Sequence, residues 1–356
     1  MKYIYFALII SILALACSSN PFTNSQTPTS TAYGEPNHIV LVCNQSDWDG
    51  AIGDSLRYYF GSAYPILPQP EAIFDIRQMN YSDIIALKTF RELRNYIFIA
   101  DLSKKDTLTY KLLVQLLGTE RINDHLQESP TSNLISRDVW AHGQQLMYIL
   151  GNDQDDLFNR IRRSFPGISR QIREFDRPRI RGTVYAAGVS KLNSESIGDR
   201  YNISIELPYD WKLVSSQPAG SWIRKETEKA SFNLILSKIK YENTNQFSED
   251  GFKKIRDTLL RHFVTTDSPG DFMKINDIDL PLFTYQKNID GNYGIEMRGV
   301  WETAIEFMGG PFQTYMIQTP KKDSILFIDA FVYAPEQEKR DLIQQLEEVI
   351  QTVHFK

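Results

Sequence analysis

The sequence predicts an α+β protein of two domains: an N-terminal α/β domain, then a C-terminal antiparallel sheet covered by helices. Three observations carry this. Short apolar runs alternate with helically spaced segments up to residue 165, strand-like alternation dominates from residue 200 onward, and a strongly striped helix closes the chain. The bulk properties agree, since 356 residues suit two ordinary domains and 42% hydrophobic residues can fill two cores. With 39 Lys+Arg against 44 Asp+Glu, the net charge of −5 gives no footprint of a nucleic-acid binder. Two cysteines exclude a disulfide-stapled fold.

The N-terminus is the first element to justify. One charge at Lys2 precedes a 13-residue apolar run over 4–16, too short to span a bilayer but fitting the hydrophobic region of a secretory signal. The run ends in Leu13-Ala14-Leu15-Ala16-Cys17, which resembles the lipobox of bacterial lipoproteins. That resemblance implies cleavage after residue 16 and acylation of Cys17, with palmitate-type chains as the anchor. Ser18, in place of an Asp, resembles the outer-membrane sorting choice, and no acidic cluster follows, so a periplasm-facing anchor is expected. Residues 17–37 are rich in Ser, Thr, Asn, Gln and Pro and read as a lipidated, disordered tether.

The first domain, residues 38–165, opens with a buried strand at 39–43 and a helix at 49–60 with Ile52, Leu56 and Phe60 spaced four apart. The breaker Leu67-Pro68-Gln69-Pro70 precedes an extended 72–76, a helix at 82–93 and a strand at 96–100. Residues 108–117 read as a helix stopped by Gly118, 133–139 and 146–150 as strands, and 153–165 as a helix. Residues 166–199 read as a helical connector that Pro178 must kink or divide. In the second domain, 200–356, strands are expected at 202–207, 232–239, 282–288, 293–301, 312–318 and 325–333, with a helix at 252–263. Asp290-Gly291-Asn292 is a hairpin turn. Pro335 is expected in the first turn of a last helix striped by Leu342, Ile343, Leu346, Val349, Ile350 and Val353.

Catalytic constellations are sparse. Gly53-Asp54-Ser55-Leu56 spells the signature of the GDSL esterases, but Ser55 falls inside a predicted helix and no Asp-x-x-His follows to supply its base. The five histidines, His38, His125, His142, His262 and His354, lack metal-ligand spacing, so no metal and no cofactor are expected. Cys43, in an apolar run, reads as core. Arg160, Arg162, Arg163, Arg170, Arg173, Arg177, Arg179 and Arg181 crowd one stretch; they suit either an anionic envelope partner or pairing with acidic surfaces of the protein itself.

Two clusters carry more than composition: Trp48 to Arg57, with Phe60-Gly61 and Leu67 to Glu71 after it, and Arg298-Gly299-Val300-Trp301 with Met308-Gly309-Gly310-Pro311-Phe312. Together with Phe331-Val332-Tyr333-Ala334-Pro335, they resemble an uncharacterised lipoprotein family of Bacteroidota, a domain of unknown function, over nearly the whole mature chain. The resemblance implies an envelope lipoprotein and supplies no reaction. In its pattern the second domain also looks like the PsbP-like α/β fold, which implies no function by itself. Gly309-Gly310-Pro311 suggests a tight turn at positive φ, or a place where another backbone or a ligand comes close. Trp48, Asp54, Arg57, Arg91, Arg94, Arg298, Trp301, Gly309, Gly310 and Pro311 are the candidate ligand- or partner-binding residues. The expectation is a non-enzymatic binding or scaffolding module of the cell envelope, meeting the membrane through its anchor and an envelope protein or anionic component through its folded part. The alternatives are an envelope hydrolase with a site assembled by the fold and a small-ligand carrier.

Overall fold

The computed structural model describes residues 30–356 apart from 104, 106, 130 and 132, so the signal segment and Cys17 lie outside the described residues. The chain divides into two compact units: Met1–Ser62 with Phe74–Arg173, and Ala63–Ile73 with Glu174–Lys356. The fold class is the expected one, an α/β unit and an antiparallel unit, but the division differs from the expected boundaries. A stretch from inside the first domain, residues 63–73, packs with the second unit.

In the first unit, strands β1 (His38–Val42), β2 (Asp75–Met79), β3 (Asn95–Asp101), β4 (Leu134–Arg137) and β5 (Gln145–Gly151) form a sheet in the order β2-β1-β3-β5-β4. All pairings are parallel except that of β4 at the edge. The central strands are buried along nearly their whole length and apolar apart from Asn95, Asp101 and Gln145 at their ends, because both faces are covered. Helices α1 (Gln45–Trp48), α2 (Ala51–Phe60), α3 (Tyr81–Ala86), α4 (Leu108–Leu117) and α5 (Thr119–Gln127) connect them. The α5 segment is polar except at Ile122 and Leu126, with Ile122 and His125 buried, and so few apolar positions leave the helix without a stripe long enough to stand out in sequence. The helix expected at 82–93 is shorter: α3 stops at Ala86, and a 3-10 turn, Lys88–Arg91, follows.

Two expectations about residues 30–37 and the helix that leaves this unit are revised. Residues 30–37 read as tether, yet the Ala32 N–H donates to His142 O at 2.8 Å, the His142 N–H to Ser30 O at 2.9 Å and the Tyr33 N–H to Glu92 O at 2.9 Å. A polar composition does not prevent order where the backbone finds partners and Ala32 is small enough to bury. Of the two outcomes expected at Pro178, a kink or a division, division does not occur, for α6 runs unbroken as Gln154–Val184. A helix-interior proline costs about 3 kcal/mol. Leu157, Ile161, Ile168, Ile172 and Val184 are buried along the same helix, each contributing roughly 1.5–3 kcal/mol, which offsets it.

In the second unit, helix α7 (Lys191–Tyr201), capped by Ser190, precedes β6 (Ile203–Ser204) and the large sheet. Its strands are β7 (Lys212–Gln217), β8 (Gly220–Glu226), β9 (Ser231–Lys240), β10 (Met273–Asn276), β11 (Phe283–Ile289), β12 (Asn292–Thr303), β13 (Gly309–Gln318) and β14 (Ser324–Tyr333). They run in the order β10-β12-β13-β14-β9-β8-β7, with β11 also on β12. The β11–β12 turn is the expected hairpin, with Asp290 at φ 51° and Gly291 at φ 80°, as a two-residue primed turn requires. Alternation sorts the side chains. Leu234, Leu236, Ile317, Leu326 and Ile328 meet α7 and the last helix, α9 (Arg340–Ile350), through Ile343, Leu346 and Val349. Ile235, Met297, Phe312, Phe327 and Phe331 form the other core with α8 (Glu249–Leu260) through Phe252 and Leu260. The final pair is β15 (His354–Phe355) on β6.

Two further expectations fail here for identifiable reasons. Pro335 lies ahead of α9 rather than in its first turn, because the helix starts where a carboxylate receives it. Glu71 accepts from the Lys339 and Arg340 N–H groups at 2.7 and 2.8 Å. Gly309 and Gly310 make no turn; both lie within β13 and neither has positive φ. A Cβ on Gly310 would stand 2.1 Å from Val332 O, so the glycine serves close backbone approach.

Candidate functional site

Where β2, β1 and β3 begin, the parallel register places His38 beside Asp75 and, two residues on, Val40 between Arg77 and Tyr96. A cleft of about 280 Å³ lies there, its polar lining given by Tyr33, His38, Asp75, Arg77, Arg94 and Asn95. That is just below the usual size for small-molecule sites, about 300–1,000 Å³. His38 Nε2 stands 3.3 Å from an Asp75 carboxylate oxygen, and both side chains are half exposed. Buried Asn95 donates to His38 O at 3.3 Å and accepts from Gln145 Nε2 at 2.9 Å, which fixes the floor. The Arg77 guanidinium lies 5.1 Å over the Phe90 ring, and Arg94 donates to Gly143 O at 3.4 Å. Gly34, at φ 136°, carries the chain past Tyr33 on one side of the cleft, a backbone conformation that favours glycine.

Two arginines and one carboxylate thus line the cleft, and that carboxylate pairs with a histidine. Such a lining suits an anionic group held by charge-assisted hydrogen bonds. The His38–Asp75 pair has the form of a base with its orienting acid, but no Ser, Thr or Cys is among the residues lining the cleft. Among the described residues no group of three His, Cys, Asp or Glu side chains is placed to share a metal ion. Cys43 is fully buried, and burial, reinforced by Asp47, pushes its thiol up to about 12, consistent with the core reading.

The sequence-predicted candidates separate into several places. Trp48, Asp54 and Arg57 do come together: the Arg57 guanidinium lies 4.5 Å over the Trp48 ring, donates to Trp48 O at 3.2 Å and pairs with Asp54 at 2.8 Å. This is an exposed ladder along α2 that braces the α1 turn. Arg91 donates to Ile84 O and Ile85 O, both at 2.7 Å, and so closes the end of α3. Only Arg94 lines the cleft. In the second unit Arg298 and Trp301 lie three residues apart on β12 and point to opposite faces. Trp301 is buried, donating to Val332 O at 3.2 Å, and sits across from Gly310, while Pro311 sits across from Val300. Arg298 is enclosed by Glu296, by Glu347 at 2.6 Å and by the Tyr64 hydroxyl at 3.4 Å; burial works against its charge, but these neighbours outweigh it. These are packing roles.

The crowded arginines also find protein partners where the structure shows them. Arg160, buried, pairs with Asp156 at 3.0 Å and donates to the His125 and Leu126 carbonyls; Arg177 pairs with Glu348 at 3.1 Å and Arg181 with Glu206. His38, Asp75, Arg77 and Asn95 were not singled out from sequence, since only strand register brings them together. The second unit carries a separate, more apolar groove of about 390 Å³ along α8, lined by Ile239, Asn243, Lys254, Ile255, Thr258 and Leu259.

Residues 32–183 match the family described as Domain of unknown function (DUF8532), and residues 190–352 that described as Domain of unknown function (DUF4837). Both matches are to domains of unknown function, which bears out the resemblance to an uncharacterised family. No curated protein matches the sequence. Among solved structures it is similar to the Ran-binding protein Mog1p of Saccharomyces cerevisiae, at 12% identity over 43% of this chain and 89% of that one, with a TM-score of 0.27. It is also similar to LpqN, described as involved in cell envelope biogenesis of Mycobacterium tuberculosis, at 12% identity over 43% of this chain and 82% of that one, with a TM-score of 0.26.

Proposed function

We propose that this chain, with its two domains of unknown function, is a lipoprotein anchored through Cys17 to the periplasmic face of the outer membrane. Its folded part is a non-enzymatic binding module for an anionic component of the envelope. The observation that carries the binding role is the cleft at the start of β1, β2 and β3, where Arg77 and Arg94 outnumber Asp75. The anchor rests on the sequence Leu13-Ala14-Leu15-Ala16-Cys17. The esterase-like Ser55 supports no rival, since it sits within α2. A second reading, a small-ligand carrier, is favoured by the apolar groove along α8.

The test is crosslinking in intact cells followed by fractionation and mass spectrometry, comparing the wild type with Cys17→Ala and Arg77→Ala. The wild type should sediment with the outer membrane, crosslinked to one envelope component. Cys17→Ala should leave the membrane fraction, while Arg77→Ala should stay anchored and lose the crosslink. Retention of the crosslink by Arg77→Ala would remove the cleft from the reading, and turnover of an ester, glycoside or peptide, lost on a single substitution, would replace it with a hydrolase.

A further inference from the structure

The loop between β12 and β13, residues 304–308, presents apolar side chains to solvent: Ile305 is 57% and Phe307 108% exposed. Single exposed apolar residues are ordinary, but this tip is built to hold them. Asp271, itself buried, accepts from the Ile305 N–H at 2.8 Å and the Glu306 N–H at 3.3 Å, and from the Thr266 hydroxyl at 2.8 Å. The Thr303 N–H donates to Met308 O, the Ala304 N–H to Phe272 O and the Met308 N–H to Glu306 O, each at 3.0 Å. Ser268 donates to the Glu306 carboxylate at 2.7 Å. Five consecutive or near-consecutive amides of the tip are thus satisfied within the protein.

We propose that this tip enters the interfacial layer of a zwitterionic bilayer, with Phe307 and Ile305 as the inserted side chains. Insertion into lipid is costly chiefly for backbone groups that lose water without gaining a partner, and here five of the six N–H groups from Thr303 to Met308 already have partners. An aromatic and an aliphatic side chain at a convex end suit the boundary between headgroups and acyl chains. The charge at the tip decides the lipid: the Asp271 and Glu306 carboxylates bond within it and Asp267 is exposed four residues before Asp271, whereas the guanidinium of Arg261 is stacked 3.7 Å over the Phe272 ring. An acidic tip is repelled by anionic headgroups and not by zwitterionic ones. The inference is independent of the cleft.

The test places a reporter at the tip of the full-length protein bound to vesicles. Phe307→Trp adds an indole at a fully exposed position and leaves the fold intact, and Tyr209→Trp, at a residue 69% exposed outside the tip, is the control. On phosphatidylcholine vesicles with brominated acyl chains, the added emission at 307 should shift to the blue and lose most of its intensity relative to wild type. The emission added at 209 should do neither. Replacing half the phosphatidylcholine by phosphatidylglycerol should reverse most of the quenching, and adding Ile305→Ser to Phe307→Trp should weaken it. Water-like, unquenched emission at 307 on bound protein overturns the proposal and leaves the tip to a protein pocket. Equal quenching at 209 overturns it as well, since contact would then not belong to the tip.

Discussion

Cys43 shows how little a residue type says without its surroundings. A thiol in a protein with one other cysteine invites a redox or nucleophilic role, but this one is fully buried just after β1, with Gln78 donating to its carbonyl at 3.3 Å. Desolvation disfavours the thiolate first, the nearby Asp47 adds to it, and the thiol rises to about 12. At pH 8 the reactive thiolate is then roughly one part in ten thousand. We predict that a maleimide reagent leaves Cys43 untouched in native protein at pH 8 and labels it on unfolding in urea, read by intact mass; fast native labelling would mean that β1 opens. The linkage has a definite sign. A group whose proton is held more tightly in the folded state contributes stability in full below its unfolded value, about 8.5. That contribution falls as pH rises toward about 12.

At the scale of elements, α8 is held to its sheet by more than its apolar face. Arg256, fully buried, donates from Nε to Asp329 at 2.7 Å and from Nη2 at 3.2 Å, its guanidinium lies 3.7 Å over Phe312, and the Thr314 hydroxyl also donates to Asp329. Removing one member strands the other charge away from water, a loss of about 3–5 kcal/mol, whereas an apolar pair of similar volume can be neutral. Asp329→Asn should therefore lower the urea midpoint sharply, and Arg256→Met with Asp329→Leu should recover most of it; equal losses in the single and double variants would sink this account. Such a pair is invisible in sequence, because Arg256 reads as the polar side of a helix and Asp329 as an interruption of a strand. Elements with strong period were legible: α4, β9 and the β11–β12 hairpin fall within a residue or two of their expected places. The edge strand β7 and its neighbour β8 were missed because their pattern is half polar. Of the ten candidate site residues only Arg94 reaches the cleft. The glycine- and tryptophan-rich clusters stand out for packing reasons, and the cleft depends on register.

At the scale of the whole molecule, the chain leaves its first unit after α2 and returns before β2, and what it does in between completes the second unit. Residues 63–73 give Ile66 and Leu67 to the core beneath α7 and α9, and Glu71 receives the start of α9 across 268 residues of sequence. Arg340 closes the arrangement by donating to Ala72 O at 2.8 Å. Ile66 sits at φ 79°, a strained conformation for a β-branched residue that only surrounding contacts sustain, at a cost on the order of 1–3 kcal/mol. The second core therefore cannot be completed from sequence-local pieces. Removing the cap should show this most directly: Glu71→Ala should cost about 0.5–2 kcal/mol. The loss should be local, so that in hydrogen exchange the first turns of α9 lose protection while β1 and β3 keep theirs. Glu71→Gln, which retains an acceptor without the charge, should fall between the two. Loss of protection in β1 and β3 equal to that in α9 would show that the segment supports the first unit instead, and no loss in α9 would show that Lys339 and Arg340 find another acceptor.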